Sequence, residues 1–333
     1  MPRQTPANPG IRDVAAMAGV SITTVSDSLS GKGRISEATR SRVREVARTL
    51  GYRPSALAKG LRAGRSQLLG LVVTKYGRTP WTFTGLPYFS KIVDTALATA
   101  LEQGYALVVL PAGEHLESLL AYPLDGLFVV DPLHNDPVIA DARRRGLPVI
   151  ADRANATQPN HLWVDFDHDR AVTLMCDHLS AEGTRSPVLL AADGKDSYTR
   201  ACIAAYSRWC KRANKTRSVI TVGHEGGAPA ESVRALMRAA DRPDALFGLE
   251  DSHVQVLRAE AAAAGLCVPE DIGLGCFSEA DAERSDPGAV TLLTVDPSTL
   301  AANAIKLLVD AIEGRKPSAG LRTVNCELAN FDE

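Results

Sequence analysis

Nowhere in the 333 residues do eighteen apolar side chains follow one another, and a membrane-spanning helix needs about that many. The six cysteines, Cys176, Cys202, Cys210, Cys267, Cys276 and Cys326, show no C-x-x-C spacing, so neither a metal site nor a disulfide framework is expected. Several sit in apolar runs such as "IGLGCF" and read as small buried hydrophobes. Catalytic signatures are missing too. No G-x-G-x-x-G follows a strand, and neither a phosphate loop nor a G-x-S-x-G occurs. The "HEGG" at 224–227 lacks the second histidine of a zinc helix, and His168 and His178, ten apart, suit a surface or cleft role better than ligation. The expectation is a non-enzyme without cofactor or metal. The opening "MPRQTPANPG" lacks the apolar core of a signal peptide and reads as a short disordered lead, so a cytoplasmic compartment is expected.

A net charge of −2 conceals an asymmetry. Residues 1–66 hold 12 Lys and Arg against 4 Asp and Glu, while the remainder holds 25 against 35. A basic segment on an acidic body points to a polyanionic partner for the first part, although a solvated basic face would look the same.

Within the basic part, "IRDVAAMA" (11–18) has helical apolar spacing and stops at Gly19. Ser21 is placed to cap a second helix reaching about Leu29, and Ser36 a third, which carries Val43, Val46, Ala47 and Leu50 on one face. Helix, glycine turn, helix and a supporting third helix make the helix-turn-helix plan, or else a plain three-helix bundle. On a helical wheel Val25 and Leu29 mark the buried side of the second helix. Thr23, Asp27 and Ser30 lie opposite, with Ile22 and Ser26 on the flank. Next, "LGYRPSALAKGLRAGRS" (50–66) offers two helical turns opened by Pro54. These are too short to stand alone, and they suit either a linker or a hinge whose Leu57 wedges into a minor groove.

The stretch "DVAAMAGVSITTVSDSLSGKGRISEATRSRVREVARTLGYRPSALAKGLRAGRS" closely resembles the head and hinge of the lactose-repressor (LacI/GalR) family of bacterial transcription factors. That resemblance implies base-reading positions at Ile22, Thr23 and Asp27. It implies backbone contacts or caps at Ser21, Thr24 and Ser26, and hinge contacts in the minor groove from Leu57 and Ala56; Arg34 and Arg53 are expected on phosphates because they are basic. Family members usually carry Arg where this chain has Asp27. A carboxylate there can accept from cytosine N4 but cannot pair with the guanine acceptors that Arg prefers. Asp27 either reads a base or orients a neighbouring Arg.

From Leu68 onward apolar runs alternate with helical stretches. "LLGLVVT", "YALVVL", "GLFVV" and "PVIA" form one block, and "PVLLAA", "SVITV", "DALFGL" and "IGLGCF" a second. Such alternation predicts an α/β core of two similar lobes with parallel sheets, ligands binding beyond the strand ends in the cleft. The acidic part resembles the two-lobed effector core that the family shares with periplasmic sugar-binding proteins. Positions carried over are Asp131, Asp152-Arg153, Asp165, Asp167, Arg200 and Asp251. Arg200 is the favoured ligand anchor, since its fork can clamp vicinal hydroxyls or a carboxylate. Asp131, Asp152, Asp251, Phe89 and Phe277 are the other effector contacts expected, whereas Asp167 and Asp251 could equally be helix caps. Trp81, Phe83 and Tyr88 share the first loop with Phe89. The family often has Asn-Asp in place of Glu250-Asp251, and Phe-Asp-Asp in place of Phe277-Ser278-Glu279. The segment from Pro111 to Asp125 is short for the family.

The expected fold is thus an α/β two-lobed periplasmic-binding-protein-like core behind an all-α helix-turn-helix head and hinge helix. Its parts are a lead (1–10), the DNA-binding domain (11–53), hinge and linker (54–67) and the effector and dimerisation core (68–333). Within the core, the N-lobe would take about 68–165 and 296–317, and the C-lobe about 166–295 and 318–333. The expected function is a transcriptional repressor that binds a palindromic double-stranded DNA operator as a homodimer or higher assembly. A small-molecule effector, a sugar, nucleoside or related metabolite, would control it, and no membrane would be involved. A solute-binding protein or an α/β enzyme core fused to a DNA-binding head are the alternatives.

Overall fold

The computed structural model describes residues 9–31, 33–52, 65–73, 87–110, 122–154, 161–181, 187–192, 196–221, 228–279, 290–316 and 322–328. The chain divides into two compact units, Met1–Gln67 and Leu68–Glu333.

The first unit contains α1 (Ile11–Ala18), α2 (Ile22–Ser30) and α3 (Glu37–Thr49). Gly19, at φ +66°, ends α1 in the left-handed conformation that a residue without Cβ adopts most cheaply. Ser21 Oγ then accepts from Thr24 N at 3.1 Å, and Ser36 Oγ from Thr39 N at 3.3 Å, so both predicted caps are made. Val14, Ala15, Ala18, Val25, Val43 and Ala47 are buried together, closed over by Ile11, Val20, Leu29, Val46, Leu50 and Tyr52.

The second unit has two sheets. The N-lobe sheet is built from β1 (Leu68–Val73), β2 (Ala106–Leu110), β3 (Gly126–Val130), β4 (Val149–Ala151) and β5 (Leu162–Trp163) in the order β2-β1-β3-β4-β5, every pairing parallel. Two helices, α4 (Pro87–Glu102) and α10 (Pro297–Glu313), pack on one face with Leu69, Leu71, Val73, Phe128 and Val130. On the other face α5 (Pro137–Arg144) meets Val72, Leu127 and Val129. Alternate residues of one strand therefore feed two cores, which is why these strands are apolar throughout.

A short strand, β6 (Asp165–Phe166), leads into the C-lobe, where the same logic repeats. Its sheet contains β7 (Pro187–Ala191), β8 (Val219–Thr221), β9 (Ala245–Gly248), β10 (Gly273–Glu279), β11 (Thr291–Val295) and β13 (Cys326–Leu328), in the order β13-β11-β10-β9-β7-β8. Only β13 runs antiparallel. Residues from α6 (His168–Ala181) and α7 (Ser197–Ala213) cover one face, and from α8 (Ala228–Met237) and α9 (Asp251–Ala263) the other. The remaining strand, β12 (Thr323–Val324), pairs with β6. Among the described residues no helix is long and apolar enough to cross a membrane.

Candidate nucleic-acid interface and interlobe site

In the head, burying Val25 fully leaves Ser21, Ile22 and Thr23 exposed at the start of α2, with Thr24 and Ser26 half-buried. Ile22 is 37% exposed, an apolar tip presented to solvent beside a polar one. Arg34 is exposed on the turn between α2 and α3. Asp27 is half-buried rather than fully outward. Its carboxylate lies against Gly33, at φ +74°, where an added Cβ would come within 2.9 Å of Asp27 Oδ2. Arg40 clamps the same turn, donating to the carbonyls of Gly33 at 2.9 Å, Ile35 at 3.3 Å and Asp27 at 3.4 Å. The wheel did not foresee Ser28, which is fully buried beside the apolar residues. Arg53, Ala56 and Leu57 lie outside the described residues, as do Trp81 and Phe83 and the segment 111–121.

In the core, the strand ends bring polar groups to the seam between the lobes. Asp131 follows β3 with φ +48°, a left-handed conformation that Asp tolerates better than most side chains. Its N–H donates to Asp152 Oδ1 at 2.7 Å. Arg153 is only 4% exposed and is surrounded by carboxylates: Asp152 Oδ2 at 3.5 Å, Asp131 Oδ1 at 3.9 Å and Asp165 Oδ1 at 3.9 Å. It also donates to the Tyr88 hydroxyl at 2.7 Å and the Asp152 carbonyl at 2.7 Å. Its guanidinium stands over the rings of Tyr88, Phe166 and Tyr198 at 5.6, 5.6 and 5.1 Å. Tyr88 comes from the N-lobe helix, whereas Phe166 and Tyr198 belong to the C-lobe core. Arg153 is therefore a bridge between lobes, each desolvated ring contact contributing up to about 2 kcal/mol. Backbone joins the seam as well, since Ser197 N donates to the Pro132 carbonyl at 3.0 Å.

The charges in this seam set one another. Burial, with the charges of Asp131 and Asp165, pushes Asp152 up to about 7 despite Arg153. Burial alone would lower Arg153, but Tyr88 and the three acids hold it well above its usual range. Burial would raise Asp165, yet His168, whose Nε2 lies 3.1 Å from Oδ2, brings it below its usual range. Asp165 also accepts from Ala154 N at 3.0 Å and Phe166 N at 2.9 Å.

The expected effector residues divide accordingly. Asp131, Asp152 and Asp165 meet in the seam around Arg153. Arg200 is exposed on the first turn of α7, so the buried guanidinium is Arg153. Phe89 is 5% exposed and packs in the N-lobe core with Ile92 and Ala96, while its neighbour Tyr88 supplies the seam hydroxyl. Phe277, 4% exposed, sits in the C-lobe core with its ring 6.5 Å from Phe166. Asp167 accepts from Arg170 N at 3.0 Å as a helix cap. Asp251 is the first residue of α9, and its side chain lies outside the described set. Sequence reasoning missed Tyr198 and Asp196. The latter caps α7 by accepting from Thr199 N at 2.6 Å, and the run "DSYTR" carried a cap signal that would have found it. Among the described residues no group of three or more His, Cys, Asp or Glu is arranged to hold a metal ion.

A capped helix-turn-helix followed by two parallel α/β lobes with a polar seam defines a DNA-binding head joined to a binding-protein-like core. Residues 10–55 match the bacterial regulatory proteins of the lacI family, and residues 176–330 match the periplasmic binding protein-like domain. The chain is 27% identical over 314 residues to the HTH-type transcriptional regulator PtxS of Pseudomonas plecoglossicida, covering 91% of this chain and 89% of that protein. It is 23% identical to the HTH-type transcriptional repressor PurR of Photobacterium profundum, covering 96% of each. The Lac repressor dimer bound to operator and the anti-inducer ONPF shares the fold, with a TM-score of 0.82 at 21% identity over 97% of this chain and 98% of that one. The chain thus carries a lacI-type DNA-binding domain and a periplasmic-binding-protein-like domain, and it is similar over most of its length to transcriptional regulators.

Proposed function

We propose that the protein represses transcription by binding a palindromic double-stranded DNA operator as a homodimer, under control of a small-molecule effector held between the lobes. The exposed first turn of α2, capped by Ser21 and backed by buried Val25, carries this reading. Ile22 and Thr23 enter the major groove and meet base edges, while Ser21, Thr24, Ser26, Arg34 and Arg53 serve the phosphates. Ala56 and Leu57 act in the minor groove at the centre of the site. Asp27 reads cytosine, or shapes the turn at Gly33 that aims α2; its half-buried place beside that turn favours the second role. The core binds a sugar, nucleoside or related metabolite without turning it over, with Arg200, Asp251, Asp131, Asp152, Phe89 and Phe277 as candidate contacts. Its domains are divided as the sequence suggests, and it works in the cytoplasm on the nucleoid.

Selection of bound duplexes from a random pool tests the head. A two-fold symmetric motif is expected, and Thr23→Ala should relax it at one position per half-site, costing about 1–3 kcal/mol of discrimination. Non-symmetric or sequence-independent binding would reject the reading. If Asp27→Ala returns the same motif with weaker affinity, its role is in the turn. A thermal-shift screen with sugars and nucleosides tests the core, since a ligand that binds only the folded form raises the melting temperature.

A further inference from the structure

The helix that faces DNA is short of the side chains that most often read it. α2, Ile22–Ser30, has the sequence ITTVSDSLS, with no Arg, Lys, Asn, Gln or Glu. Those are the residues whose forked or paired groups grip guanine, adenine and cytosine edges in the major groove. Its one charged residue, Asp27, is half-buried against the turn at Gly33. Of the others, Val25 and Ser28 are buried, and Leu29 packs on the core of the head. The first turn of α2 therefore presents Ile22 and Thr23, while the hydroxyls of Ser21 and Thr24 are bonded to each other at 2.9 Å.

Ile22 is the apolar member of that turn. It is the first residue of α2, and helical side chains lean toward the N-terminus, so Ile22 stands ahead of the helix. Although only three residues before buried Val25, it is exposed and takes no place among the apolar residues packed in the head. Its side chain has no donor or acceptor. Against a purine edge it would strip water from N7 or O6 and return no hydrogen bond. The apolar group that base pairs present in the major groove is the C5 methyl of thymine. Residues 1–66 hold 12 Lys and Arg against 4 Asp and Glu, so the surface carrying Ile22 is drawn to a polyanion.

We propose that Ile22 recognises a thymine in each half-site through its C5 methyl group, which makes part of the operator code an apolar contact. The inference rests on the operator reading above and names the chemistry of its first base contact. Thr23 carries both a hydroxyl and a methyl, so it can accompany Ile22 on a polar or an apolar edge. The short side chains of Ser21, Thr23 and Thr24 let the helix backbone come close to the bases, which a reader as short as Ile22 requires. Cytosine methylated at C5 shows the same methyl group, and plain cytosine does not. Ile22 is therefore blind to the difference between thymine and 5-methylcytosine at that methyl, and cytosine methylation there tightens binding. Burying one methyl group corresponds to about fourfold in affinity per half-site, or about fifteenfold for both.

The test starts from the duplex that the full chain selects from a random pool. Each thymine of a half-site, with its symmetry mate, is replaced by deoxyuridine, which removes the methyl and keeps the base pairing. Affinities are measured by fluorescence anisotropy at one fixed salt concentration. One symmetric pair of replacements should weaken the wild type about fifteenfold. Ile22→Ala should bind the thymine and deoxyuridine duplexes equally, a ratio that does not depend on how much of the variant is folded. A C·G pair at the same position should bind weakly, and 5-methylation of its cytosine should restore about fourfold per half-site. A two-fold motif without thymine, or one indifferent to every thymine methyl, would overturn this proposal and leave the operator reading standing. So would an Ile22→Ala ratio equal to that of the wild type. Absence of any two-fold motif overturns the operator reading, and this proposal with it.

Discussion

The head and the core keep their polar groups in opposite places. Around a small apolar centre of Val14, Val25 and Val43, the head holds Ser21, Ile22, Thr23 and Arg34 at the surface. The core buries Arg153 with Asp131, Asp152 and Asp165, each under 5% exposed, between two large apolar clusters. A surface that meets DNA can exchange side chains with little cost to folding, because water satisfies whatever DNA does not. A buried seam has no such freedom, since each charge is tolerated only because the next one answers it. Operator preference can therefore drift through the head while the seam resists change.

The largest test of this contrast is Arg153→Met. Removing the one guanidinium shared by three buried acids should cost the core about 3–5 kcal/mol, read from urea unfolding, and leave the melting of the head unchanged. A loss below about 1 kcal/mol would mean that the acids are neutral and that the seam is no more constrained than the surface.

Acidity offers a second test, smaller per unit of pH. Asp152 is raised from an ordinary 3.8 to about 7, and His168 from 6.5 to about 10. Both hold a proton more tightly folded than unfolded. Stability should therefore fall as pH rises, through Asp152 between 3.8 and about 7, and through His168 between 6.5 and about 10. Each group contributes a slope of at most about 1.4 kcal/mol per pH unit. Asp165, lowered, acts oppositely: its contribution is present above 3.8 and is lost as pH falls through its folded value. Urea midpoints across this range should decline on the alkaline side in the wild type and flatten there in His168→Gln.

The smallest effect belongs to the head. Ser21→Ala removes the α2 cap and should cost about 1 kcal/mol of head stability. Circular dichroism melts would detect it, with the core transition unmoved. A shift of the core transition instead would contradict the separation of the two units.

Much of this architecture was legible in the chain. The runs at Leu68–Val73, Gly126–Val130 and Pro187–Ala191 are apolar throughout because both faces are covered, and Ser21 and Ser36 announced their helices. Legibility ended where two neighbours compete for one role. Phe89 and Tyr88 are adjacent, and only the rotation of α4 against its sheet sends the first into the core and the second into the seam. Arg200 had the better motif, but Arg153 is the arginine that the lobes enclose.

What the amino-acid order determined alone were local matters: caps, glycine turns, strand periods and the split of charge between residues 1–66 and the rest. These depend on neighbours within a few positions, or on sums along the chain. Only tertiary structure decided that Arg153 lies among Tyr88, Asp131, Asp165 and Tyr198, and that Cys202 meets His168 across 34 positions. Such pairings are made by the closing of two lobes, and no local pattern encodes which side chains the closure brings into one desolvated space.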